Sequence, residues 1–412
     1  MSNPNSHKNE VYVFGAGLNR SIFNPYLSAS PPLMEDFFQI AMRINERLGK
    51  PFENELKPLL DYIYKNWNLT RNDILTKPFN LERCFTVLEY QYGNALQPGM
   101  FVSLIDLFDL RFKLRTLIFK VLSQFNGCQF QSDLWTLGEI LFMTKPGIIT
   151  FNYDDYVESV IEVVSQKRIN HDTHLSSTLK GMSRIRNSPL RWNRTLAYGI
   201  AFDIVPSPTH LPYLNHYIDG NVFYRRARNK LYTRSILKLH GSLNWLRFIP
   251  TDATPPSLPK PRGVWSKDME SQIILSHAEW AMDQHPMING NYVEPVIVTP
   301  DIYKSKRLED PLFGKALLPL WKQAGNYLSN CKKLVIIGYS FPDADDLVQK
   351  LFQNAFSENT LEKLIVVNPD SRAVEKSKML CKFQEVLQFN NLKEFLEKGV
   401  PFFNRKRSSN IQ

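Results

Sequence analysis

Residues Val11–Ser21 read VYVFGAGLNRS, and the fold turns on how this stretch is read. Four apolar residues in a row, without polar alternation, are what a strand buried on both faces of a parallel sheet requires. The strand runs straight into Gly15-Ala16-Gly17, where missing side chains let the backbone turn sharply and bring N–H groups against a diphosphate. A glycine pair after a strand also serves as a plain tight turn, so the stretch states a fold class before it states a ligand.

Five more Val- and Ile-rich runs bounded by Gly, Pro or Asn resemble the first. They are Gly147–Phe151, Ile236–Leu239, Pro295–Val298, Lys333–Ile337 and Leu364–Val367. Six apolar runs predict a parallel sheet covered by helices on both sides, the Rossmann-like doubly wound α/β class. Between the first two runs the period changes. Met34, Phe37, Phe38, Ala41, Ile44 and Leu48 fall on one helical face closed by Gly49 and Pro51, and Leu107, Leu110, Leu114, Leu117, Ile118, Val121 and Leu122 form a second stripe from about Asp106. Residues 33–145 therefore read as a large helical insertion whose stripes are core. Residues 161–234 read as a loop-rich basic insertion and 249–291 as a second loop-rich one. The Rossmann-like core is expected in 9–32, 146–160, 235–248, 292–300 and 331–400 of one domain spanning 1–412, without internal repeats.

Composition narrows the class. With 43% hydrophobic and 22% charged residues the chain has the balance of an ordinary globular protein with a large core. No run reaches the ~18–20 apolar residues a membrane span needs, and the polar start has no signal-peptide core, so a soluble cytoplasmic protein is expected. Cys84, Cys128, Cys331 and Cys381 are scattered without zinc-ligand spacing and read as reduced thiols. The net charge is +10, and between Arg184 and Arg234 nine Arg and Lys residues face only Asp203 and Asp219. That stretch, and the tail Arg405-Lys406-Arg407, is either a solvated face or a surface for an acidic partner or nucleic acid.

Chemistry-bearing residues collect at the carboxyl ends of the expected strands, where open α/β sheets bind ligands. Asn19 lies in the first loop. The second run ends in Asn152 and Asp154, polar groups equally suited to an Asx turn or helix cap. The third ends in His240-Gly241, a histidine placed for proton transfer whose ordinary pKa of ~6.5 suits a base near neutrality. The fifth ends in Gly338-Tyr339-Ser340, where Gly338 and Ser340 can receive ribose or phosphate; of the following aspartates, Asp345 is expected to cap a helix and Asp343 stays open. The sixth ends in Asn368-Pro369-Asp370, suited to ribose hydroxyls or an adenine edge.

In this order GAGxN, TFNYD, LHG, GYS and VVN resemble the sirtuin series GAGxS, TQNxD, HG, GTS and IN. The forms TFNYD, LHGSLNW and GYSFPDAD are similar to those of bacterial sirtuin-like (Sir2-like) proteins of anti-phage defence. The resemblance covers about a third of the chain. It implies NAD⁺ as substrate and rupture of the nicotinamide–ribose bond, with Asn152 and His240 catalytic. It further implies Gly15, Ala16, Gly17, Asn19, Asp154, Gly338, Ser340 and Asn368 around the dinucleotide, with no metal required. For a defence NAD⁺ hydrolase it implies a trigger, a homo-oligomer, and partners such as a HerA-like ATPase, an Argonaute-type protein or a phage protein. Two departures stand out: Asn19 replaces the usual Ser, and between His240 and Gly338 there is one cysteine, Cys331, where deacylases of the family carry two CxxC pairs. The alternatives are a sirtuin-type deacylase or ADP-ribosyltransferase, and a non-catalytic NAD or ADP-ribose sensor.

Overall fold

The computed structural model describes residues 9–95, 101–125, 132–144, 146–171, 198, 200, 202, 236–251, 254–255, 258–275, 287–298, 311–343 and 345–399. Apart from Tyr198, Ile200 and Phe202, the basic stretch 184–234 lies outside them, as do Cys128 and Arg405–Arg407. Among the described residues no helix is long and apolar enough to cross a membrane.

The chain first lays down β1 (Glu10–Phe14), β2 (Gly147–Thr150) and β3 (Ile236–Lys238). It diverts through β4 (Gly241–Phe248), β5 (Ile274–Leu275), β6 (Met287–Ile288) and β7 (Asn291–Ile297), and returns with β8 (Lys333–Ile337), β9 (Leu361–Val367) and β10 (Phe383–Phe389). The spatial order β10-β9-β8-β1-β2-β3 is parallel throughout. In chain order within the sheet this is 6-5-4-1-2-3, the doubly wound Rossmann arrangement. Its winding reverses between β1 and β8, where the crevice of such sheets opens.

Alternation along β1 assigns the two layers. Tyr12 and Phe14 pack on one side against the insertion, whose helices are α1 (Phe37–Arg47), α2 (Glu53–Trp67), α3 (Arg71–Thr76), α4 (Leu81–Ala95), α5 (Phe101–Ser123) and α6 (Ser132–Thr144). Phe38, Ala41, Ile44, Leu117 and Val121 from the two expected stripes are in that core. The first helix starts at Phe37, and Met34 packs from the segment before it. Helix α7 (Tyr156–His171), which follows β2, adds Tyr156, Val157, Val160 and Ile161. Val11 and Val13 face the opposite layer, with Leu320 and Leu328 of α8 (Pro311–Ser329), Val348 and Phe352 of α9 (Asp346–Ala355), and Val374 of α10 (Ser371–Leu380). Side chains this buried contribute ~1.5–3 kcal/mol each, so the sheet is held from both faces.

One strand expectation needs correction, and one parallel strand was not expected. The run Pro295–Val298 is not a strand of the parallel sheet. It belongs largely to β7, in a second sheet of order β5-β4-β7-β6 whose pairs are antiparallel. Proline lacks the N–H a regular ladder asks for, and Pro295 stands where the β4–β7 register slips between Ser242 and Leu246. This sheet also replaces part of the loop expected over 249–291, and of the expected core segment 292–300 the described part, 292–298, is not in the parallel sheet. The sixth parallel strand is instead β10, FQEVLQF, an edge strand with much of its length exposed. Its polar side chains suit an edge, where Glu385 pairs with Lys363 of β9 at 2.9 Å.

Candidate active site

The loops leaving β1 and β8 touch at the reversal point. Gly15 N–H donates to Ile337 O at 3.0 Å and Gly17 N–H to Gly338 O at 2.9 Å. A Cβ on Gly15 would stand 2.5 Å from Tyr339 Cα, and one on Gly17 would stand 2.8 Å from Gly338 Cα. Gly338 has φ of +66°, a left-handed conformation that glycine adopts without strain. Both amides are engaged within the protein, and the visible role of these glycines is to let two backbones meet. Half-buried Ala16 opens a short 3₁₀ helix, Ala16–Ser21, in which Asn19 is buried.

Asn19, Asn152 and Asp154 are all buried and form one chain of hydrogen bonds. Asn19 Nδ2 donates to Asp154 Oδ2 at 2.6 Å. Asn152 Nδ2 donates to Asn19 Oδ1 at 3.2 Å and to Gly15 O at 3.2 Å. An ionised carboxylate only accepts, so Asp154 sets which end of Asn19 it faces, and Asn19 in turn sets Asn152. Both amide hydrogens of Asn152 are spent, and its carbonyl Oδ1 is the end left to meet a ligand. The backbone N–H of Asn152 is held by Thr150 Oγ1 at 3.1 Å, which fixes the turn off β2.

Beneath this chain lies an unusual buried charge. Lys238, the last residue of β3, is 0% exposed; its Nζ donates to Glu158 Oε1 at 2.9 Å and to the Asp154 carbonyl. Burial pushes the Asp154 carboxyl up to about 6, against the lowering pull of Lys238 and of the Asn19 hydrogen bond. Lys238 carries no motif, and the sequence reading passed over it; a lysine inside an otherwise apolar run of a parallel strand was the signal.

His240 sits one turn beyond β3. Its carbonyl accepts from Val298 N–H at 2.8 Å, and Gly241 follows with φ of +79°, swinging the chain into the second sheet. The imidazole packs on Phe151 at 5.0 Å between ring centroids and lies 6.4 Å from Tyr153. Tyr339 stacks on the same Phe151 at 4.2 Å. The side chains of Phe151 and Tyr153, flanking Asn152, thus pack about the histidine of the next strand end. His240 Nε2 lies 3.2 Å from Asp345 Oδ1, and the other oxygen of that carboxylate accepts from Tyr339 OH at 2.6 Å.

Asp345 corrects an expectation. It occupies the residue before α9, yet its side chain makes no capping hydrogen bond and is committed to Tyr339 and His240 instead. Asp343, left open by the sequence, is exposed and pairs with Lys376 at 2.7 Å. Ser340 is exposed at the rim of the β8 loop, half-buried Gly338 is beneath it, and Asn368 spans from β9, giving Nδ2 to Tyr339 O at 3.2 Å. Asn368 Oδ1 accepts from Asp370 N–H at 3.0 Å, so its amide ties the β8 and β9 loops together. Asp370 accepts from Arg372 N–H at 2.9 Å as the cap of α10. Cys84, Cys331 and Cys381 are free and buried, and burial raises the Cys331 thiol to about 12. Among the described residues no three His, Cys, Asp or Glu side chains gather as a metal site.

No protein-family model and no curated protein matches the sequence. Among solved structures the chain is similar to a Sir2 homologue in complex with NAD, at 13% identity and a TM-score of 0.37, over 97% of this chain and 90% of that one. It is similar to a structure addressing the mechanism and regulation of Sir2 enzymes at 14% identity and a TM-score of 0.35, over 97% and 94% of the two chains. A structure addressing sirtuin substrate affinity overlaps at 11% identity and a TM-score of 0.33, over 96% and 93%. What the site can do follows from its own groups.

Proposed function

We propose that this chain hydrolyses NAD⁺ to nicotinamide and ADP-ribose. The observation that carries the reading is the fixed polarity of Asn152: both its amide hydrogens are bound by protein, and an uncharged acceptor oxygen remains at the end of β2. Such an oxygen orients a water or a ribose hydroxyl without adding a charge that would trap an oxocarbenium-like state. As the C–N bond breaks, nicotinamide leaves neutral with the bonding electron pair. Water then adds its oxygen to the ribose carbon and gives up a proton, for which His240 is the base. Nicotinamide is a good leaving group, so positioning and proton removal are the tasks left to the protein.

In this reading Ala16 and Asn19, with Gly15 and Gly17 shaping the turn, line the diphosphate and nicotinamide side, and Gly338, Ser340 and Asn368 line the adenosine side. The enzyme serves as an NAD⁺-depleting effector of bacterial antiviral defence, in the cytoplasm and as a homo-oligomer. Unchecked hydrolysis would kill its host, so activity waits on a trigger from a partner such as a HerA-like ATPase, an Argonaute-type protein or a phage protein. The loop-rich basic stretch and the helical insertion are the candidate surfaces for it.

The test is incubation of the full-length protein with NAD⁺, alone and with the products of neighbouring genes, following nicotinamide and ADP-ribose by chromatography. Asn152→Ala and His240→Ala are each expected to lower nicotinamide release by ~10²–10⁴ while NAD⁺ binding survives. Near-wild-type release from both variants refutes the site. Release that requires an acyl-lysine peptide and yields an acylated ADP-ribose moves the activity to deacylation.

A further inference from the structure

Asp345 is a carboxylate in an expensive place. It is 2% exposed, and it stands where an aspartate usually offers its oxygens to the first N–H groups of a helix, a contact worth ~1 kcal/mol. The side chain forgoes that bond. A buried carboxylate needs compensating donors or a positive partner; the Tyr339 hydroxyl donates to Oδ2 at 2.6 Å, and His240 Nε2 stands 3.2 Å from Oδ1, at ion-pair distance without hydrogen-bond alignment. Tyr339 is itself locked by its stack on Phe151, at 4.2 Å, and by its T-shaped contact with Phe341, at 4.7 Å. The carboxylate is therefore held by one rigid neighbour and presented to the ring of another.

We propose that Asp345 is a positioning residue for His240, holding the imidazole against Phe151 and favouring its protonated form, with Tyr339 fixing the carboxylate. A base that accepts a proton during the reaction becomes an imidazolium, and a carboxylate already in place stabilises it without rearrangement. This rests on the reading of His240 as the base. Among the described residues, Asp345 before α9 and Tyr153 from the β2 loop meet the imidazole, and Tyr339 from the β8 loop reaches it through Asp345. Both phenols are tied: Tyr339 to Asp345, and Tyr153 to Val298 O at 2.6 Å. Burial and the adjacent Asp345 carboxylate raise the Tyr339 phenol well above its usual range, so it stays a neutral donor. Of these three, Asp345 carries the negative charge.

The deciding experiment is an NMR titration of full-length protein labelled at the histidine rings, with the His240 signal identified by its loss in His240→Ala. In Asp345→Asn, His240 is expected to titrate ~1 pH unit or more lower, because the charge that favours imidazolium is gone. Asp345→Glu should return the titration toward wild type, and Tyr339→Phe should shift it less. The rate of nicotinamide release should fall by ~10² or more in Asp345→Asn, with its acid limb moved to lower pH. Asp345→Asn should add no further loss in a His240→Ala background. An unmoved His240 titration in Asp345→Asn overturns the proposal; should that variant fail to fold, an unmoved titration in Asp345→Ser, which also removes the charge, does so. If His240→Ala leaves release intact, the proposed base falls, while the NMR shift still decides whether Asp345 and His240 are coupled.

Discussion

Asp154→Asn should make the protein more stable above pH 6 and less active. Burial raises the Asp154 carboxyl from 3.8 to about 6, roughly two units, or ~3 kcal/mol at 1.36 kcal/mol per unit. Because the folded value is the higher one, the folded protein binds this proton more tightly than the unfolded chain. The group costs nothing below about pH 3.8 and the full ~3 kcal/mol above about pH 6. Asparagine does not titrate. Its amide has one acceptor oxygen where the carboxylate has two, serving Asn19 Nδ2 at 2.6 Å and Tyr156 N–H at 3.3 Å. One hydrogen bond is therefore lost, ~1 kcal/mol at every pH alike. At pH 8 the variant should gain about 2 kcal/mol net. The cleaner quantity is the change in that difference between pH 4 and pH 8, about 2 kcal/mol, in which the constant hydrogen-bond loss cancels.

Urea unfolding of both proteins at the two pH values, with unchanged denaturant slopes, measures it. Activity should move the other way. An asparagine has a donor end as well as an acceptor end and no longer dictates how Asn19 lies, so Asn152 loses its fixed polarity and nicotinamide release falls by ~10–10². Stability curves of wild type and variant that run parallel across this range would refute the reasoning, since the carboxylate would then not be carrying its burial as a proton affinity.

Gly15→Ala should damage the fold itself. Its Cβ would meet Tyr339 Cα at 2.5 Å and Gly338 O at 2.6 Å, backbone atoms that cannot step aside; a loss of ~1–3 kcal/mol in unfolding free energy is expected, and a wild-type midpoint would disprove the close approach. Glu294→Gln should cost about 3 kcal/mol at neutral pH, because it strands two arginines that meet Glu294, Arg247 Nε at 2.7 Å and Arg115 Nη1 at 3.3 Å. Glu294 is held at about 2 by Arg247 and then Arg115, which outweigh its burial. Its contribution is therefore present above pH 4.5 and lost as pH falls toward 2, and the variant's unfolding midpoint should converge on wild type through that window.

The order of strand-end motifs was legible because a doubly wound sheet repeats one demand: each buried parallel strand must be apolar on both faces and must end in groups that turn the chain. That demand exposes β1, β2, β3, β8 and β9, together with Asn152, Asp154 and His240. It says nothing of which strands pair. Pro295–Val298 satisfies the same local pattern as Lys333–Ile337, and only the missing Pro295 N–H and the bulge opposite it separate an antiparallel strand from a parallel one. Edge strand β10 fails the pattern for the converse reason, since half its residues answer to solvent. The sequence singles out polar residues at strand ends, but not the bonds among them. Asp345 looks like a cap from its position before α9, and Lys238 looks like a surface residue from its charge, yet each is at most 2% exposed. Of what meets them, Tyr339 is a near neighbour of Asp345 in the chain, but His240 in the one case and Glu158 with the Asp154 carbonyl in the other come from segments far away. Long-range partners of buried charges are set by the sheet order, so they become visible only after β1 and β8 are known to be neighbours and β3 is known to lie beside β2. The two polar centres therefore have different physical origins: Asn152 takes its orientation from a neutral amide chain ending in one raised carboxyl, while His240 answers to a carboxylate that gave up its helix cap. Substitutions at Asp154 and at Asp345 should for that reason act on different steps, the first on how a water or ribose hydroxyl is held and the second on where its proton goes.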